Sequence, residues 1–261
     1  MEPAGLAVGI IALATTFNNA VDCFEYVQLG RAFGTDFQTS LLRLENERLR
    51  LSRWGKAIGL SGDIDNTSSV ILATAPPENV TAADNVLRQI LGLFAKAEGV
   101  SAKYGSHAAE VDRDLATFDS ATDMEPVGQS LLAQMRAQSS ERSNTTPLRR
   151  KVQWALYEKK QFNDLIQDIA NLVNDLLQLF PAAHEEQRRL CRTEVSEINS
   201  RDARLALKDI AALQDKELEN AVVEALKSQD HKSPTFNNRD STKVGMQTGV
   251  ANNSGSQVFN F

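Results

Sequence analysis

From Thr35 to about Lys227 the apolar residues of this chain recur three and four positions apart, and that period commits it to helices packed side by side. Phe37, Leu41, Leu44, Leu51 and Ile58 form one stripe, with Arg43, Glu47 and Arg50 expected on the opposite, solvated side. Gly59 to Pro77 carries Gly, Asp, Asn, Ser and a Pro-Pro pair, and reads as a long loop that offers Val70, Ile71 and Leu72 for docking. Thr81-Ala-Ala-Asp84 reads as a helix start, and Val86, Ile90, Phe94 and Ala97 give that helix a buried stripe to about Tyr104. A weaker helix is expected over 111–115. Another follows Pro126, with Val127, Leu131 and Met135 on one face.

Ser139 to Thr146 is polar and breaks the pattern, and Pro147 suits the first turn of the next helix. Ala155, Phe162, Leu165, Ile169, Leu172, Leu176 and Leu179 continue to Pro181, with a break expected near Glu158-Lys159-Lys160 where the phase slips. Two charged helices, 182–198 and 202–226, carry narrow stripes (Leu205, Ile210, Leu213, Val222, Leu226) and read as surface helices. The fold class is therefore all-α, a single bundle of about seven to nine helices. It covers residues 1–227, with a linker at 228–234 and a tail at 235–261.

The N-terminus departs from this amphipathic rule. No charge occurs between Glu2 and Asp22, and Ala4 to Ala14 is almost purely apolar. Ala12-Leu13-Ala14 mimics a signal-peptide cleavage site, but the basic leader is missing and the first charge is acidic. A permanent membrane span needs ~20 mostly apolar residues, and Asn18-Asn19 interrupts this one. Myristoylation is excluded by Glu2. Gly5 and Gly9 stand four apart, a spacing that lets helices approach closely in a bilayer and equally permits tight packing in a water-soluble core.

The other end departs differently. From Val244 to Phe261 there is neither charge nor proline, and Gly, Asn, Gln, Ser and Thr interleave with Val, Met and Phe. Two readings fit: a disordered tail, or a latent cross-β segment in which Asn and Gln ladder from chain to chain. Gly245-Met246-Gln247-Thr248-Gly249 is nearly palindromic about Gln247. Val244, Val250, Asn252, Asn253, Val258, Phe259 and Phe261 complete the candidate amyloid core.

Several function classes recede. With 28 Lys and Arg against 34 Asp and Glu the net charge is -6, unlike a nucleic-acid binder. Two cysteines, Cys23 and Cys191, are too few for a disulfide scaffold, so a cell interior is the expected compartment. Phosphate-loop, dinucleotide and nucleophile-elbow motifs are absent from the sequence. His107, His184 and His231 stand far apart, and neither cysteine has ligand-type neighbours in sequence. The expectation is a non-enzyme without metal or cofactor.

The block from Phe17 to Gly30 (FNNAVDCFEYVQLG), continued by Arg31, Phe33 and Gly34, resembles the HeLo domain of the fungal HET-S/HET-s incompatibility family. Leu51-Ser-Arg-Trp-Gly55 does so too. Asp123-Met124 with Pro126 and Gly128, Trp154 to Tyr157, and Phe180-Pro181 follow in the same order over roughly residues 1–227.

The resemblance implies a helical domain followed by a prion-forming tail, acting together in programmed cell death. A templated tail would refold the domain and expel the N-terminal segment into a membrane, which is then breached. Gly5, Leu6, Val8, Gly9, Ile10, Ile11, Leu13 and Phe17 would then insert. Asp22 and Glu25 would sit near the water-facing end, and Ala32 would occupy a variable, regulatory position. Implied partners are further copies of the chain, membrane lipid, and an NLR-type receptor bearing a matching motif. Relocation from cytoplasm to plasma membrane is implied with them.

The tail differs from the two long charged pseudo-repeats of HET-s. It looks more like the short pseudo-palindromic motif of related executioners, itself similar to the RHIM amyloid motif. An inert prion partner and a helical adaptor with a disordered tail remain the alternative readings.

Overall fold

The computed structural model describes residues 3–61, 69–108, 117–143 and 153–230, with the side-chain surroundings of 3–7, 31–32, 103–108 and 229–230 left outside that description. The expected helix at 111–115, the role given to Pro147 and the whole candidate amyloid core lie outside the described residues.

The helices are α1 (Pro3–Cys23), α2 (Phe37–Ile58), α3 (Val70–Thr74), α4 (Pro77–Ala108), α5 (Pro126–Arg142), α6 (Lys159–Leu179), α7 (His184–Glu197), α8 (Arg201–Gln214) and α9 (Lys216–Asp230). Helix α2 is the axis of the bundle: α1, α5, α6, α7 and α8 all pack on it. It ends at Gly59, whose φ of 87° is left-handed. From there the Gly59 and Leu60 amides donate back to Lys56 O and Gly55 O at 3.1 and 2.8 Å, a glycine cap that satisfies the last carbonyls.

Three expectations are corrected. Thr81 does not start a helix: α4 begins at Pro77, whose missing N–H is no loss in a first turn, and the Thr81 hydroxyl donates inside the helix to Pro77 O at 3.1 Å. Trp154–Leu156 is a strand, β2, pairing in parallel with β1 (Val27–Leu29) in the register Val27 to Trp154. Three residues cannot show a period, so tertiary pairing decides their conformation, and the expected break appears as the start of α6 at Lys159. The single helix expected over 202–226 is two, divided at Asp215, and Leu205 and Leu213 are exposed rather than part of a buried stripe.

The aromatic centre lies where α1, α2 and α6 meet. Trp54 is fully buried, with its ring centroid 6.1 Å from Phe17 and 6.0 Å from Phe180. Its indole N–H donates to Leu176 O at 3.0 Å, the partner a buried indole requires.

Candidate functional site

Helix α1 is 21 residues long, about 31 Å at helical rise. Its inner face is Leu13, Ala14, Phe17, Ala20 and Val21, all without solvent exposure, docked chiefly on α4 and also on α2. Its outer face is unusual. Val8 is 67% and Ile11 46% exposed, with Ala12 and Thr15 beside them, so neither face carries a charge before Asp22.

Phe17 is the anchor. It lies against Gly55 of α2 so closely that a Cβ there would overlap the ring. Phe24, just after α1, meets Phe94 of α4 edge-on at 4.9 Å. Thr16 donates to Asp84 Oδ1 at 2.7 Å, and Asp84 also takes Arg88 at 2.7 Å. Burying Leu13, Phe17 and Val21 contributes roughly 1.5–3 kcal/mol each.

The residues expected to insert are therefore divided. Leu13 and Phe17 are deep in the core, Ile10 is partly buried, and Gly9 touches Val80 at 3.8 Å through its notional Cβ. Val8 and Ile11 face solvent. Gly5 and Leu6 occupy the first turns of α1, and Ala32 lies in the 3-10 segment Arg31–Asp36. The surroundings of these three fall outside the description.

In this fold Asp22 is buried at the C-terminal end of α1; the water-facing place expected of it belongs to the inserted segment. Glu25 is half-exposed and forms an ion pair with the fully buried Arg48 of α2. Among the described residues no helix is both long and apolar enough to cross a membrane.

The second feature is a set of charges whose partners the sequence does not name. The charges of α2 do not form a solvated side: Glu45, Glu47, Arg48, Arg50 and Arg53 are all buried. Arg53 forks onto Glu194 of α7, with Nε to Oε1 at 2.9 Å and Nη2 to Oε2 at 2.6 Å, and donates through Nη1 to Asp215 Oδ2 at 2.6 Å. Arg142 of α5 pairs with the same Glu194. Arg50 reaches Glu47 at 3.1 Å, Asn174 of α6 at 2.7 Å and Asp215 at 3.8 Å.

Asp215 also caps α9, accepting the Leu218 amide at 3.2 Å through Oδ1. One carboxylate thus joins the start of the last helix to the central one. The signal for this lay in α2 itself, whose charges surround the helix and leave no continuous solvent face.

These groups titrate unusually. Burial would raise Asp215, but Arg53 and Arg50 overcome it and hold the carboxyl below its ordinary range. Glu47 behaves oppositely. Burial, aided by the charge of Asp215, outweighs Arg50 and Arg53 and pushes it up to about 7. Burial likewise pushes the Cys191 thiol up to about 12, which leaves it no thiolate character at neutral pH.

A family model described as "Prion-inhibition and propagation", HeLo, matches residues 5–213. The chain is 34% identical over 226 residues to heterokaryon incompatibility protein s of Podospora anserina, covering 86% of this chain and 75% of that protein. It is 33% identical over 225 residues to heterokaryon incompatibility protein S of the same fungus, with the same coverage. The structure of the HET-s N-terminal domain superposes with a TM-score of 0.73 at 32% identity, covering 84% of this chain and 98% of that one. A double mutant of that domain superposes with 0.71. With a family model spanning most of the chain, relatives above 30% identity and the same helical architecture, this chain belongs to the HeLo family of prion-inhibition and propagation proteins.

Proposed function

We propose that the chain is an amyloid-triggered, membrane-permeabilising protein of fungal heterokaryon incompatibility. The observation that carries this reading is α1, a helix of bilayer length with an apolar, uncharged outer face in the resting fold. Such a helix has two homes separated by a small free-energy difference: the cradle of α4 and α2, or a bilayer in which its backbone is already satisfied. Asn18, Asn19 and Asp22 keep it from being a permanent span, so several copies insert together, with Gly5 and Gly9 allowing close approach.

In this reading the tail from 235 onward is templated by an NLR-type receptor or by another copy carrying a matching motif. Its conversion to cross-β pulls on α9. Asp215 passes the strain to Arg53 and Arg50 of α2, against which Phe17 of α1 is seated through Gly55. The protein relocates from cytoplasm to plasma membrane, acts without catalysis or cofactor, and binds lipid and itself.

The test is leakage from liposomes on mixing full-length protein with preformed fibrils of residues 233–261. Leakage dependent on the fibrils supports the reading, and intact liposomes with competent fibrils sink it. Identities of 34% and 33% to the proteins named s and S do not separate an executioner from an inert prion partner. In the inert case the fibrils grow and the liposomes stay sealed.

A further inference from the structure

A cavity of ≈ 520 Å³ opens between the turn after α1, helix α2, the segment before α5, and α5 itself, a volume in the range of small-ligand sites. Its inner end is Arg48, whose side chain is 1% exposed and whose Nε has no hydrogen-bond partner. Arg136 lines the same cavity. Glu45 lies between the two guanidiniums, accepting from Arg136 Nε at 2.8 Å and standing 3.8 Å from Arg48 Nη1. Leu29, Leu41 and the stacked rings of Phe37 and Phe118, 4.1 Å apart, supply the apolar wall. A guanidinium buried at the inner end of a cavity with one N–H unpartnered is a costly arrangement for stability alone, and a suitable one for receiving an anion.

The charges define which anion. Arg48 and Arg136 face Glu45, which is buried, and Glu25, which is half-exposed. Asp119 at the rim is committed to its own turn, where its Oδ1 accepts the Ala121 amide at 2.9 Å. Glu25 alone can leave for water. Its departure leaves the two guanidiniums at the inner end against Glu45 alone, with the charge of Asp119 out at the rim, and bares the guanidinium edge it covered, a fork that matches a phosphate oxygen pair.

We propose that this cavity binds a small phosphate monoester with an apolar body, which takes the place of the Glu25 carboxylate on Arg48 and reaches Arg136. Glu25 lies in the 3-10 turn that continues from α1, so occupancy unfastens the enclosed end of α1. That consequence rests on the insertion reading, whereas the binding does not.

Phenyl phosphate is titrated into the full-length protein by calorimetry, with phenol as the uncharged control. In parallel, phosphatidylcholine vesicles with and without phosphatidic acid test a lipid headgroup as the source. Saturable binding of phenyl phosphate but not phenol is expected. Binding only to the phosphatidic acid vesicles, with the same variant pattern, assigns the site to a headgroup.

Glu25→Gln removes the competing charge from an exposed position and tightens binding by roughly two- to fivefold, the range of one partly exposed ion pair. Arg136→Gln weakens it by a similar factor. A merely structural role for Glu25 predicts no tightening. The proposal is overturned if neither probe binds, if phenol binds as well as phenyl phosphate, or if Glu25→Gln leaves binding unchanged or weaker. None of these outcomes bears on fibril-seeded leakage.

Discussion

Replacing Glu47 by Gln should remove a pH dependence of stability that the wild-type protein carries near neutrality. Glu47 is sealed between Arg50 and the charge of Asp215, and its folded-state pKa stands at about 7 against 4.5 for an ordinary glutamate. Because the folded value is the higher one, the folded state holds this proton more tightly than the unfolded chain does. The stabilisation is complete below the ordinary value and is lost as pH rises through about 7. A shift of this size corresponds to about 3 kcal/mol in full, of which about 2 kcal/mol disappears between about pH 5.5 and about pH 8.

Asp215 has the opposite sign. Its depressed value contributes stability above the ordinary carboxylate range and loses it only in strong acid, so it is silent across this window. Gln keeps an acceptor for Arg50 and cannot ionise. Urea titrations at the two pH values should therefore show the wild type losing about 2 kcal/mol and Glu47→Gln losing almost none of that amount. A wild type equally stable at both pH values, or a variant that loses as much, would refute the reasoning.

Asp215→Asn keeps the cap on Leu218 but leaves Arg53 and Arg50 short of a counter-charge. Breaking a buried ion pair from one side costs about 3–5 kcal/mol, and hydrogen exchange should quicken first in α9 and in the facing turns of α2. Phe17→Ala empties the slot against Gly55 and Trp54 and should destabilise by about 3–5 kcal/mol, read as a lowered urea midpoint. Gly55→Ala, which drives a methyl into the Phe17 ring, should expose α1 to proteolysis while α6 to α9 remain protected.

How much of this was legible in the sequence depended on whether a residue's role was local. The stripe of α2, the break near Lys159 and the uncharged α1 are properties of spacing and composition, and they were readable. The strand at Trp154–Leu156 was not, because its partner Val27–Leu29 is more than a hundred positions away and three residues carry no period. Thr81 looked like a cap because a hydroxyl and a carboxylate three apart suit one, yet Pro77 starts the helix a turn earlier.

The larger misreading concerned charge. The usual rule for amphipathic helices puts Glu47 and Arg50 in solvent, yet both are buried because the middle of α2 is enclosed by the helices packed around it. Charge buried in this way needs partners from elsewhere in the chain, here Asn174, Glu194 and Asp215, and one sequence does not pair them. The apolar, uncharged N-terminal segment was legible as a segment; which of its residues hold it in the core, Leu13 and Phe17, and which face water, Val8 and Ile11, required the fold.

That division permits a direct measurement of whether α1 is the membrane-breaching element. Val8→Lys and Ile11→Lys place charge on the solvent face, so the resting fold and the tail should be untouched, whereas a lysine at the centre of a bilayer helix costs about 2.5–3.5 kcal/mol on insertion scales. Fibril-seeded dye release is measured for the wild type and for the double variant, with melting temperature and fibril growth checked in the same preparations. The account predicts release from the wild type and sealed liposomes for a double variant that melts and seeds normally. Equal release from both would contradict it.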